Sequence, residues 1–235
     1  MRPEAAAEAV ALDRVSLDRV TVQRDDRVIL RDISVDLTAR RIAVIGANGS
    51  GKSTFARLLN GLVLPTAGRV RVHGLDTRRY TSALRRRVGF VFTDPQSQIL
   101  MPTPEEDIAL SLRGLPRADV ERRVVEALAE HGLADHARVP ASELSGGQKQ
   151  MLALASVLIT EPALIVADEP TTLLDLRNAR RIADLLLSTS AQIIVVTHDL
   201  ELAARCDHAL LFDDGALAAS GAPDDVIARY RSLCA

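Results

Sequence analysis

Lysine is nearly missing from this 235-residue sequence: Lys52 and Lys149 are the only two, and every other basic side chain is arginine. In that background a lysine inside a glycine-rich loop stands out as chosen for its chemistry. Cysteine is almost as scarce. Cys206 and Cys234 have no spacing that makes a metal site or a disulfide framework, so a reduced cytosolic setting is the default. Net charge is also small, at −2, and nothing global points to nucleic acid. No apolar run approaches the roughly 20 residues that span a bilayer. The alanine-rich start, Met1 to Leu12, lacks the basic and apolar segments of a signal peptide and is expected to be a flexible extension. Any membrane link must then run through a partner. No internal repeat or low-complexity linker is visible.

What is present alternates between strand and helix. Val15 to Val22 and Val28 to Leu37 read as strands around the turn Arg24 to Arg27. Arg41 to Ile45 is a short apolar strand that enters Gly46-Ala47-Asn48-Gly49-Ser50-Gly51, with a helix from Lys52 to about Gly61. Arg69 to His73 and Val88 to Phe92 are further strands. Pro104 to Glu143 has helical spacing, and another helix starts after Ser145-Gly146-Gly147. Ala163 to Ala167 is continuous enough to be a buried strand. A helix from Asp175 to Leu187, a strand from Gln192 to Thr197 and an α/β tail follow. The fold expected is α/β: a mostly parallel sheet core with an antiparallel β subdomain and an inserted α-helical subdomain.

Gly46 to Ser53 reads G-A-N-G-S-G-K-S, the phosphate-loop pattern G-x-x-x-x-G-K-[ST] between strand and helix. Its glycines let backbone N–H groups turn toward a phosphate, and the helix start adds a positive dipole end. Lys52 can reach the β and γ phosphates. Ser53 can ligate Mg²⁺, and Thr54 follows in the first helical turn. A chance glycine turn is the bland reading, and the strand–loop–helix context argues against it. Asp168 and Glu169 end the buried strand at its carboxyl end, where α/β sheets bind ligands. Asp168 can serve the metal shell and Glu169 can act as general base. A solvated acidic turn would be the bland reading there.

Leu144-Ser145-Gly146-Gly147-Gln148, placed between the phosphate loop and the acidic strand, resembles the signature of ABC ATPases. The resemblance runs from about Val15 to Tyr230, and makes the expected P-loop NTPase fold one ATP-binding domain over 13–235, with a helical subdomain over about 94–160. It implies ATP and Mg²⁺ as cofactors. It also implies that Ser145, Gly146, Gly147 and Gln148 contact the γ-phosphate held by a second subunit, so that ATP bridges a dimer. Thr172-Leu173-Leu174-Asp175 looks like the D-loop, and Thr197-His198-Asp199 like the switch-histidine motif. The implied catalytic set is Glu169, His198 and Lys52. Two positions depart from the family: Arg24 stands where an aromatic residue usually stacks on adenine, and a guanidinium can stack there instead. Thr93 stands where a glutamine usually reads Mg²⁺, with Gln96 or Gln98 as substitutes.

Asp94-Pro95-Gln96-Ser97-Gln98-Ile99, followed by Pro102 to Ala109, resembles the coupling region of energy-coupling factor (ECF) transporter ATPases, those for biotin first and for cobalt or nickel next. This implies a peripheral subunit on the cytoplasmic membrane face, as a homodimer or heterodimer of ATPases. Its partners would be a transmembrane coupling subunit and a substrate-binding membrane subunit, with no nucleic acid. Ile99, Leu100 and Met101 are expected to meet the membrane partner, and Glu105, Glu106 and Asp107 to pair with its basic residues. The alternatives are a soluble ABC-type ATPase of DNA repair or translation, which usually carries tandem halves, a coiled coil or zinc cysteines, and a regulatory module without turnover.

Overall fold

The computed structural model describes residues 14–234; the expected extension 1–12 lies outside them. Two sheets form. The first is antiparallel and four-stranded, from β1 (Val15–Arg24), β2 (Arg27–Leu37), β4 (Ala67–Val72) and β5 (Leu75–Asp76), in the order β2-β1-β4-β5. The second contains β3 (Arg41–Gly46), β6 (Val88–Val91), β7 (Leu164–Asp168), β8 (Gln192–Val196), β9 (His208–Asp213) and β10 (Ala216–Gly221). Its order is β10-β9-β3-β8-β7-β6, parallel except for β10 at the edge. The expected α/β architecture is therefore present.

The parallel strands are apolar on both faces because both are covered. Ile42, Val44, Val166, Ile194, Leu210 and Phe212 face α1 (Lys52–Leu59) and the antiparallel sheet. Ala43, Ile45, Ile165, Ala167, Ile193 and Val195 face the helices that follow β6 in the chain. Period-two alternation thus sorts one chain into two cores, and Phe55 joins Phe212 across the first at 5.0 Å between ring centroids.

The sequence pattern missed two small elements, β5 and α2 (Thr81–Arg87). Each is too short to show a period. The helical stretch expected over Pro104 to Glu143 breaks into α3 (Pro104–Ser111), α4 (Arg117–Glu130) and two 3₁₀ turns. Gly114 and Gly132, at φ 97° and 70°, interrupt it. Then come α5 (Gly146–Leu158), α6 (Leu176–Ser188), α7 (Leu200–Ala204) and α8 (Pro223–Cys234).

One expectation for the loop ahead of α3 is overturned. Asp107 does not face outward: it is 4% exposed, and its carboxylate accepts hydrogen bonds from Leu100 N (2.8 Å), Met101 N (3.1 Å) and Ser156 Oγ (2.9 Å). Glu105 pairs with Arg138 at 3.1 Å and Glu106 accepts from Thr103 Oγ1 at 2.9 Å. Asp107 is committed internally, because it satisfies two backbone donors of the turn ahead of α3, while Glu105 and Glu106 stay at the surface.

Removing that carboxylate strands those donors. Asp107→Ala is expected to lower unfolding stability by about 3 kcal/mol, the scale of losing charge-assisted bonds and leaving buried groups unpaired. Urea denaturation measures it, and a change below about 1 kcal/mol would mean the loop has another anchor.

Candidate functional site

Three neighbouring strands, β3, β8 and β7, end on the same side of the sheet. β3 leads into the glycine loop, β7 into Asp168-Glu169 and β8 into Thr197-His198. The sheet order therefore gathers three segments that lie far apart in sequence. Gly46 ends β3 at φ 143°, and a Cβ there would lie 2.1 Å from Phe212 O, so only glycine fits. Gly51 caps α1 at φ 100°, and a Cβ there would lie 2.6 Å from Leu30 Cδ2. The loop is thus clamped between β9 and β2.

Lys52 is 7% exposed, and its ammonium donates to Gly46 O and Ala47 O, both at 2.8 Å. Burial pulls its pKa down, opposed by the charges of Glu169 and Asp168. Asp168 is 2% exposed. Burial pushes its pKa up, against the Ser53 hydrogen bond and the charge of Arg57. Ser53 Oγ donates to Asp168 Oδ1 at 2.9 Å. A hydroxyl and a desolvated carboxylate in contact are hard oxygen donors of the kind Mg²⁺ takes, with phosphate oxygens and water completing its shell. The donor set fits that ion. Thr93 Oγ1 donates to the backbone oxygen of Asp168 at 2.8 Å, so its proton is spent while its oxygen stays beside the strand end.

Glu169 sits in the left-handed region at φ 54°, costly backbone for a side chain with a Cβ. Its N–H still bonds Val196 O at 3.0 Å. Oε2 accepts from Thr172 Oγ1 (3.2 Å) and contacts His198 Nδ1 (2.7 Å). Among the described residues Oε1 has no hydrogen-bond partner, and the residue lines the cavity over the glycine loop. One oxygen is held while the other can take a proton from water. If His198 donates through Nδ1 to Glu169, a further donation through Nε2 requires the imidazolium.

The cavity is about 370 Å³. Asn48, Gly49, Gly51, Lys52, Ser53, Thr54 and Glu169 line it, as do Arg27, Val28, Ile29, Asp214 and Gly215. The last five went unrecognised in the sequence, although Asp214-Gly215 between two apolar runs is a hairpin-turn signal. Gly46 and Ser50 are buried within the loop, Ser50 at 4% exposure, and Ala47 is exposed but not in the cavity wall. Arg24 is not in the wall; it pairs with Arg27 across the two-residue turn from β1 to β2, and Arg27 reaches the cavity. Gln98 is spent elsewhere, accepting from Phe92 N (3.1 Å) and donating to Ala153 O (2.8 Å). Gln96 stays exposed.

The signature segment is not in this wall either. Ser145 caps α5 in a reciprocal box with Gln148: Ser145 Oγ accepts from Gln148 N at 3.3 Å and Gln148 Oε1 from Ser145 N at 2.8 Å. Gly146 is exposed, and a Cβ there would meet nothing within 4 Å. Gly147 is against Asn178. Asp175 caps α6, its carboxyl held below the usual range by the backbone and side chain of Asn178.

The ABC transporter family profile matches residues 30–172. The biotin transport ATP-binding protein BioM of Rhizobium etli is 46% identical over 211 residues, spanning 89% of this chain and 94% of its own. The energy-coupling factor transporter ATP-binding protein EcfA1 of Symbiobacterium thermophilum is 40% identical over 213 residues, spanning 85% and 74%. Among solved structures, cbiO1 of Clostridium perfringens, part of the ABC transporter complex cbiONQ, superposes with a TM-score of 0.81 at 28% identity, covering 94% of this chain and 92% of its own. The dimeric ATP-binding cassette MJ0796 bound to ADP and Pi does so with a TM-score of 0.78 at 28% identity, covering 89% and 98%.

Glu169→Gln keeps size and polarity but removes the proton acceptor. ATP turnover should fall by about 10²–10⁴-fold while nucleotide affinity, read by equilibrium binding, stays near that of the parent. Turnover within a factor of two would remove Glu169 from the role of base.

Proposed function

The chain belongs to the ABC transporter family as an ATP-binding ATPase, and from that premise we propose that it energises an ECF-type importer. In this reading it works as a dimer of ATPase subunits on the cytoplasmic face of the membrane, beneath a transmembrane coupling subunit and a substrate-binding subunit. Biotin is the first candidate cargo, on the strength of the BioM relative. Cobalt or nickel is the second.

The observation that carries the reading is the cavity where Lys52, Ser53 and Glu169 meet over the glycine loop, with Asp168 bonded to Ser53 at 2.9 Å. Lys52 would exchange its carbonyl partners for β and γ phosphate oxygens. Ser53 and Asp168 would hold Mg²⁺, with Thr93 beside them. When bound, the ion neutralises phosphate charge. Glu169 Oε1 would take a proton from the attacking water while His198 and Thr172 fix Oε2. The base would lie toward Arg27 and Val28, with Arg24 across the turn able to stack on it. Residues 94–160 would act as the helical subdomain that carries Ser145 to Gln148.

The signature would complete the site of the opposite subunit, because Gly146 faces open space beside a helix start, a ready anion site. Gly146→Asp is the cleaner probe than a change at Gly147, whose added Cβ would strike Asn178 at 2.8 Å within the same chain. Subunits with Lys52→Ala and subunits with Gly146→Asp should each be nearly inactive alone. Mixed dimers hold one site with both defects and one with neither, so isolated mixed dimers should turn over at roughly half the parent rate, and a 1:1 mixture, in which about half of the dimers are mixed, at roughly a quarter. Proven mixed dimers without recovery would count against composite sites.

Coupling would run through a groove of about 580 Å³ lined by Gln96, Ile99, Leu100, Met101, Pro102 and Lys149, among others. Leu100 is 73% exposed. Leu100→Asp should leave stability within about 0.5 kcal/mol, as for most surface changes, and the ATPase activity of the isolated chain unaltered. Detergent pull-down of co-expressed membrane subunits should fail. An intact complex with normal uptake would place coupling elsewhere.

A further inference from the structure

The two glycines of the signature differ in what they leave room for. Beside Gly146 there is open space. Beside Gly147 there is one side chain: a Cβ there would lie 2.8 Å from Asn178 Cγ and Nδ2 and 3.1 Å from Oδ1. The carboxamide of Asn178 therefore packs flat on the backbone of Gly147, joining α6 to the start of α5.

Asn178 is not free to swing away. Its Nδ2 donates to Asp175 Oδ2 at 2.6 Å, and its backbone N–H donates to Asp175 Oδ1 at 2.9 Å. The backbone bond alone caps the helix. The side-chain bond is additional, and it fixes the rotamer that touches Gly147. Upstream, Asp175 is tied back to the candidate base by a short turn: Thr172 N bonds Glu169 O and Thr172 Oγ1 bonds Glu169 Oε2, both at 3.2 Å. Leu174 N bonds Thr171 O at 3.3 Å. Between them Leu173 takes φ 66° and is 93% exposed. Glu169 is thus bonded to Thr172, three residues of backbone carry the chain from Thr172 to Asp175, and Asp175 holds Asn178 against Gly147.

We propose that Asn178 is a positioning residue that links the carboxylate of one ATP site to the signature helix serving the other. The proposal rests on the composite-site reading above. If Asp175 moves when its own site closes or reacts, Asn178 moves with it and presses on or releases Gly147. A side chain packed against the backbone at the start of a helix transmits displacement to it, because packed groups deform little.

The test is a double-mutant cycle on ATP turnover with Gly147→Ala, Asn178→Ala and both together. Asn178→Ala alone should lower kcat several-fold, leave KM for ATP within about twofold, and bring the Hill coefficient toward one. A helix cap with no further role would not split kcat from KM in that way. Gly147→Ala should cost more, since its methyl collides with a pinned carboxamide. Removing that carboxamide should give part of the activity back, leaving the double variant at least about threefold above the product of the single effects, a coupling typical of residues in contact. Strict additivity overturns the proposal. In parallel, Glu169→Gln and Glu169→Gln with Asn178→Ala are run on a sizing column with ATP, and both should dimerise. If neither does, composite sites and the link fall together. If both dimerise and the cycle is additive, only the link falls.

Discussion

Lys52 keeps its ammonium almost wholly out of water with two backbone carbonyls as its hydrogen-bonding partners, opposite two carboxylates of which Asp168 is also desolvated. Burial works against both charges, lowering one pKa and raising the other. Burying such charges is costly, and phosphate oxygens with a dication would replace the missing solvation. The rest of the site follows from holding these groups apart and dry. Gly46 must lack a Cβ so that the loop can pass Phe212, and Gly51 so that α1 can begin against Leu30. Glu169 must accept a strained φ so that its carboxylate turns from the strand end toward the loop.

The sheet pays for this geometry with its two buried faces. Only a strand covered on both sides can run as Ile-Ala-Val-Ile or Leu-Ile-Val-Ala without exposing one set. Only a parallel order brings the carboxyl ends of β3, β8 and β7 together. The antiparallel sheet covers one face and also supplies Arg27, Val28 and Ile29 to the cavity wall. Packing and ligand surface thus come from the same hairpin.

Much of this was legible in the sequence, and the reasons differ from element to element. The glycine loop, Asp168-Glu169 and His198 could be read because each follows an apolar strand, and period and motif agree there. β5 and α2 were invisible because two and seven residues carry too little pattern. Arg27 lines the cavity and is not legible, because motif spacing says which residue occupies an aligned place, not which way a hairpin turns its side chains. Asp107 is hard to read because a carboxylate in an acidic run looks solvent-facing; only the fold reveals the N–H groups of Leu100 and Met101 that it binds. Asn178 carries no motif at all. Its place against Gly147 depends on two helices meeting, which no local window contains.

The same contacts give the proposed coupling a physical route. Thr93 is bonded to the backbone of Asp168, so the end of β6 is tied to the strand end that would carry the metal ligand. Asp94 then caps the 3₁₀ turn through Gln96 N at 2.9 Å, and Gln98 braces that turn to Phe92 on one side and to α5 on the other. Asp107 fastens Leu100 and Met101 at its far end and reaches α5 again through Ser156. The groove is therefore clamped both to the strand end beside the phosphate loop and to the helix that begins at the signature. Any shift of α5 relative to the sheet would alter the groove, because the loop that lines it is bonded to both. The threonine at position 93 shortens the link at its first step. Its hydroxyl donates directly to the strand end, and Gln98 braces the loop behind it against Phe92 and α5.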